Sequence, residues 1–266
     1  MAWNGATPTA PETQLEPTNG TSITSSSVTL TAGRLYLVGV WAGRGDSVDF
    51  AAPTSVVCNG TQAFAIVHAT NGVALFDTSS ATRRGLWVGY CIPAATVTGT
   101  IVATFAATYE GFILALVEVA SGFNAAETFL QSAKVIDADG TGTSTTLTFG
   151  AGMAANSLVV AFIAAADSSA IAPDAAYTEL FADLEQDADV AGTAHYSTAP
   201  DTTMTFTYVS GAQMAAIGVE VQASPPGGKG SGGKGKGGNN PGPGEPPKKP
   251  LRTSLSKSWK WDRGWR

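Results

Sequence analysis

Asp183, Glu185, Asp187 and Asp189 alternate in a way that gathers carboxylates and suggests a calcium loop. Such a loop also needs a central glycine and a terminal bidentate Glu, and neither stands at the required offset. The run therefore reads as a solvated loop or strand face, and Asp137-Ala138-Asp139-Gly140 reads the same way. The stretch Gly228-Lys229-Gly230-Ser231-Gly232-Gly233-Lys234-Gly235 comes within one residue of a phosphate-binding loop. Gly235 stands where Ser or Thr would ligate magnesium, and no strand pattern precedes it and no helix pattern follows.

Nucleophilic and metal chemistry fare no better. His68 and His195 each lack a neighbouring Cys or His at ligand spacing, and no serine occupies a G-x-S-x-G elbow. Glu118 and Glu220 lie at equivalent places in two apolar stretches, which invites a glycosidase pair, but they belong to separate repeat units and read as edge-facing or solvent-facing. Arg44-Gly45-Asp46 is a three-residue match to an integrin-type tripeptide, and Arg83-Arg84 reads as a solvated turn. The sequence predicts no enzyme, no cofactor and no metal site.

Recognition is the chemistry that remains. Three of the chain's 6 tryptophans fall in its last eight residues, within Ser258-Trp259-Lys260-Trp261-Asp262-Arg263-Gly264-Trp265-Arg266. Aromatic and Arg side chains are common interface anchors, because they bury a large area at small entropic cost. Trp259, Lys260, Trp261, Arg263, Trp265 and Arg266 are therefore the candidate docking residues of a terminal peptide, 251–266. Its partner could be another protein, the chain's own acidic body or an anionic surface. Residues 225–250 are nearly all Gly, Pro, Lys, Ser or Asn and predict a disordered linker, spanning roughly 28 Å as a random coil.

The elements that carry this peptide are of a different composition. Of the 266 residues 44% are hydrophobic and 14% charged, so a packed body is expected. Residues 1–224 hold 5 Lys and Arg against 19 Asp and Glu, a net of −14, while residues 225–266 hold 10 against 2, a net of +8. An acidic body argues against nucleic-acid binding by that body, since phosphate contacts need a basic face. No stretch at Met1-Ala2-Trp3-Asn4-Gly5 has the pattern of a signal peptide and no run of 18 apolar residues occurs, which predicts a soluble product made in a cytoplasm. Cys58 and Cys91 sit in apolar stretches and read as buried free thiols, with a disulfide closing one sandwich left open.

An internal repeat organises the body. Leu35-Tyr36-Leu37-Val38-Gly39-Val40-Trp41 matches Leu158-Val159-Val160-Ala161-Phe162-Ile163, and Gly85-Leu86-Trp87-Val88-Gly89-Tyr90 before Pro93 matches Ala191-Gly192-Thr193-Ala194-His195-Tyr196 before Pro200. Ala115-Leu116-Val117-Glu118-Val119 matches Ala216-Ile217-Gly218-Val219-Glu220-Val221. Met204, Phe206 and Tyr208 alternate with Thr205 and Thr207, the period of a strand with one buried face. The runs from Leu35 and from Leu158 are apolar on both faces, as in central strands covered on both sides.

The predicted fold is all-β: two tandem antiparallel β-sandwich modules, jelly-roll or immunoglobulin-like, followed by the linker and terminal peptide. The boundaries are an N-terminal extension at 1–20, modules at 21–122 and 123–224, the linker at 225–250 and the peptide at 251–266. Residues 122–141 would be a connection or an edge strand of the second module. For glycan recognition, Tyr36, Trp41, Tyr177 or Tyr196 would have to face outward as platforms.

The start Met1-Ala2-Trp3-Asn4-Gly5, the phrase Gly20-Thr21-Ser22-Ile23-Thr24-Ser25-Ser26-Ser27-Val28-Thr29-Leu30-Thr31-Ala32-Gly33 and the terminal Trp259-Lys260-Trp261 peptide together resemble minor tail and other virion proteins of tailed phages. That resemblance implies a non-enzymatic virion component, assembled in the host cytoplasm, set in a symmetric assembly and bound to other virion proteins through its terminal peptide. It also leaves open a capsid decoration or head-fibre role, and contact with host cell-surface glycans.

Overall fold

β-branched residues fit a pleated, half-buried surface, and here they build a chain that is all strand and turn among the described residues. The computed structural model describes residues 3–16, 19–45, 49–77, 82–138, 140, 142–166, 171–173, 175–186, 190–208 and 213–225. In chain order the strands are β1 (Thr9–Glu16), β2 (Gly20–Leu30), β3 (Leu35–Arg44), β4 (Ser55–Cys58), β5 (Gln62–Ala63), β6 (Ala65–Ile66), β7 (Val73–Asp77), β8 (Arg83–Cys91) and β9 (Val97–Tyr109). They continue as β10 (Gly111–Val119), β11 (Phe129–Asp137), β12 (Ser144–Thr148), β13 (Leu158–Ala165), β14 (Ala172–Pro173), β15 (Thr178–Gln186), β16 (Val190–Ser197), β17 (Thr203–Thr207) and β18 (Met214–Val221). The described residues all belong to one compact unit, within Met1–Gly227.

Four antiparallel sheets result among the described residues. One runs β1-β10-β3-β8-β6 with β7 also on β8, and a smaller one runs β2-β9-β4-β5. The other large sheet runs β11-β18-β13-β16-β15, with a smaller β12-β17-β14. Strand order is thus the same in both halves of the body. Register irregularities recur at matching places too, between Thr9 and Glu12 on β1 and between Phe129 and Gln131 on β11.

Side-chain alternation sorts the apolar residues into three cores. On β3, Tyr36, Val38, Val40 and Ala42 join a core shared with β2, β4 and β9, while Leu35, Leu37 and Trp41 enter another. On β13, Val159, Ala161 and Ile163 join a core with β12 and β17, while Leu158, Val160 and Phe162 point the other way. The residues pointing away from the small sheets meet in one cluster, drawn from β3, β8 and β10 and from β13, β16 and β18. The two large sheets are therefore apolar on both faces because each face is covered.

Trp41 ties that shared cluster together. Its indole Nε1 donates to the Ile163 carbonyl at 2.8 Å, and its ring lies 5.9 Å from Phe162 and 6.4 Å from Phe181. Close approach requires glycine opposite it: a Cβ on Gly192 would stand 2.8 Å from Trp41 Cε2.

Several sequence expectations are corrected. Residues 1–20 contribute β1, which pairs with β10, rather than a mere extension; its polar sequence Thr-Ala-Pro-Glu-Thr-Gln-Leu-Glu hides it from a hydrophobic pattern. Arg83-Arg84 begins β8 instead of forming a solvated turn, with Arg84 buried and Arg83 paired to Asp49 at 3.0 Å. Of the two carboxylates read as edge- or solvent-facing, Glu220 is only 1% exposed within the inner strand β18, and Glu118 on β10 is largely covered and pairs with Arg34. Local donors make Glu220 tenable there: the Ala154 backbone N–H and the Gln131 amide reach it at 2.7 Å each. Residues 129–137 of the stretch with two alternatives form edge strand β11.

Candidate functional site

A cleft arises where the strand on the outer side of β8 is interrupted. β6 ends at Ile66 and β7 resumes at Val73, whereas in the other half β15 is one strand beside β16, with register shifts between Glu179 and Phe181 and between Phe181 and Leu184. Val67 N–H donates to the Val88 carbonyl at 3.1 Å and Val88 N–H to the Gly72 carbonyl at 2.9 Å, so both ends of the interruption are pinned to one residue of β8. The intervening turn closes with Gly72 N–H donating to the His68 carbonyl at 2.7 Å. Only glycine fits this closure, because a Cβ at Gly72 would lie 2.4 Å from Ile66 Cγ1.

Opposite this turn stands β11. Between them opens a cleft of about 770 Å³, within the roughly 300–1,000 Å³ common for ligand sites. Val67, His68, Tyr90 and Ile92 line one wall, and Ala125, Ala126, Thr128 and the start of β11 line the other. The irregularity between Phe129 and Gln131 re-aims the strand locally, so that consecutive Phe129 and Leu130 both reach the cleft. The Tyr90 and Phe129 rings meet edge to face, 4.8 Å apart at 89°. Leu130 is one of two large hydrophobic residues left exposed among the described residues, at 37%; Ile136 on the same strand is the other.

Bonds across the gap fix its width. Asn71 Nδ2 donates to the Ser132 carbonyl at 2.9 Å, and Lys134 Nζ donates to the Thr70 and Val73 carbonyls at 3.1 and 2.9 Å. Among the described residues, no Asp, Glu, Lys or Arg lines the cleft. His68 Nδ1 accepts from the Thr70 N–H at 3.3 Å, which assigns the proton of the neutral ring to Nε2. Gln131 commits its amide elsewhere, to Glu220 and to Ala151. The Tyr90 and Thr128 hydroxyls make no hydrogen bond among the described residues.

Of the residues weighed from sequence, His68 lines this cleft. Trp259, Lys260, Trp261, Arg263, Trp265 and Arg266 lie outside the described residues, as do Asp46, Asp139, Asp187, Asp189 and the Gly228–Gly235 stretch. Asp183 and Glu185 fall on β15. Among the described residues, no three His, Cys, Asp or Glu gather where they could hold a metal ion. Tyr36, Trp41 and Tyr177 are buried, and Tyr196 packs half-buried against the shared core, so none is the outward platform that glycan stacking requires.

His195, Cys58 and Cys91 are buried away from the cleft. His195 is enclosed near Phe206 with its Nδ1 unpartnered, and desolvation lowers its pKa to about 4. Cys58 and Cys91 are free and buried; desolvation pushes the Cys91 thiol up to about 12 and raises Cys58 as well.

Sequence reasoning missed the cleft. Its walls come from segments far apart in the chain, and Tyr90 and Phe129 look like ordinary strand aromatics until they meet.

No protein-family model, no curated protein and no solved structure matches this chain.

Proposed function

We propose that this chain is a structural, non-enzymatic component of a tailed-bacteriophage virion, a minor tail protein. In this reading residues 21–122 and 123–224 are two tandem β-sandwich modules, the first completed by β1, and 225–250 are the flexible linker. Residues 251–266 anchor the body to other virion proteins through Trp259, Lys260, Trp261, Arg263, Trp265 and Arg266.

One observation supports the reading most: the order β1-β10-β3-β8 over β2-β9-β4 recurs as β11-β18-β13-β16 over β12-β17-β14. First strand beside last, and third beside last, in both halves is the order expected of a jelly roll, an architecture that viral capsid and lectin domains use. The apolar cluster fed by both large sheets gives such a pair a rigid, covered joint. The charge division, −14 on residues 1–224 against +8 on 225–266, suits a body held off the particle and a terminal segment that engages an acidic or aromatic-binding neighbour.

Deleting residues 251–266 tests the anchor. The truncated chain is expected to fold with an unchanged unfolding transition and to be missing from purified particles. Normal incorporation of the truncation overturns the anchoring role. Placement on the head, as a capsid decoration or head fibre, would keep the same two parts and change only the neighbour.

A further inference from the structure

We propose that the cleft between the His68–Gly72 turn and β11 binds a neutral oligosaccharide. This goes beyond the structural reading above and does not depend on the terminal peptide.

Charge narrows the ligand first. No Asp, Glu, Lys or Arg is among the described residues that line the cleft, and the Lys134 ammonium beside it is committed to the Thr70 and Val73 carbonyls, so apart from the His68 imidazole a charged ligand meets no counter-charge there, and a buried unpaired charge is costly. Polarity narrows it further. A purely apolar guest would cover the Tyr90 and Thr128 hydroxyls and His68 Nε2 without bonding to them, and each group left unsatisfied weakens binding. A pyranose presents apolar C–H faces and equatorial hydroxyls together. The Tyr90–Phe129 pair and Leu130 supply the apolar contact, and the hydroxyls and imidazole N–H supply the edge bonds.

Rigidity favours binding as well. The Asn71 and Lys134 bonds across the gap set its width before any ligand arrives, so little ordering entropy is lost on binding. The opening of about 770 Å³ admits two or three sugar rings.

The test uses the full chain and four neutral probes: cellotriose, maltotriose, chitotriose and xylotriose. Saturation-transfer NMR and titration are expected to show at least one of them binding with Kd of about 1 mM or tighter. Leu130→Arg places a charge and bulk at an exposed position, so binding should weaken at least about tenfold with the melting temperature unchanged. Tyr90→Phe removes one hydroxyl and keeps the ring, and should weaken binding by about fivefold. Absence of binding by all four probes, or binding that neither variant changes, overturns the proposal, as does saturation by a neutral apolar tripeptide and by none of the sugars. Both variants should still join particles. A chain that binds sugar yet is absent from particles upholds this inference and removes the virion reading.

Discussion

Replacing Trp41 probes whether the two halves of the body share one core. The indole is fully buried between β3 and β13, donates to the Ile163 carbonyl at 2.8 Å and touches Phe162 and Phe181. Trp41→Phe deletes the bond and part of the ring, which should cost about 1–3 kcal/mol. Trp41→Ala adds a large cavity and should cost about 3–5 kcal/mol. For a domain of this size each kcal/mol lowers the melting temperature by roughly 2–4 °C, so the Ala variant should melt about 6–20 °C lower in calorimetry. Hydrogen exchange supplies the sharper readout. Because the cluster is fed equally by β13, β16 and β18, protection should fall in those strands as well as in β3, β8 and β10. Loss of protection confined to the first half, or a melting shift worth under about 0.5 kcal/mol, would refute the shared core.

Other outcomes follow from the buried polar groups. Glu220→Ala leaves the Ala154 N–H and the Gln131 amide without their acceptor and should cost about 1–3 kcal/mol in urea unfolding; Glu118→Ala, whose partner Arg34 is 41% exposed, should cost under about 1 kcal/mol. Comparable losses at the two sites would contradict the difference in burial. His195 is held neutral, with its pKa lowered to about 4 from 6.5, so the unfolded chain binds the extra proton between these values. Stability is unaffected by this group above pH 6.5 and falls as the pH drops from there to about 4, by roughly 3 kcal/mol at most, and His195→Leu should flatten that part of the profile. An unchanged slope in the Leu variant would assign the acid loss to other groups. Cys58 and Cys91 should resist a maleimide at pH 8 until the chain unfolds, as mass spectrometry of native and urea-treated samples can show; prompt native labelling would contradict their burial.

The sequence made some of this legible and hid the rest for physical reasons. Period-two alternation at Met204, Phe206 and Tyr208, and two-faced apolar runs at Leu35–Trp41 and Leu158–Ile163, identify strands because burial alone dictates those residue types. Edge strands β1 and β11 are harder to see. They carry Thr, Glu, Gln, Ser and Lys that find partners across the fold, such as Lys134 with the Thr70 carbonyl. Glu220 could not be placed from its neighbours, since its donors come from residues 66 and 89 positions away. The aromatic residues proposed as platforms failed for the opposite reason: Tyr36 and Trp41 lie on a strand with both faces covered, so neither side was free. The cleft depends on an interrupted strand in one half only, a difference that repeat matching by similarity passes over.

Imaging purified phage particles with this protein labelled is the most direct measurement of the central proposal. The account predicts label at defined, symmetry-related positions on the virion, lost when residues 251–266 are removed. Particles that carry no label, from cells that make the protein in full, would contradict it.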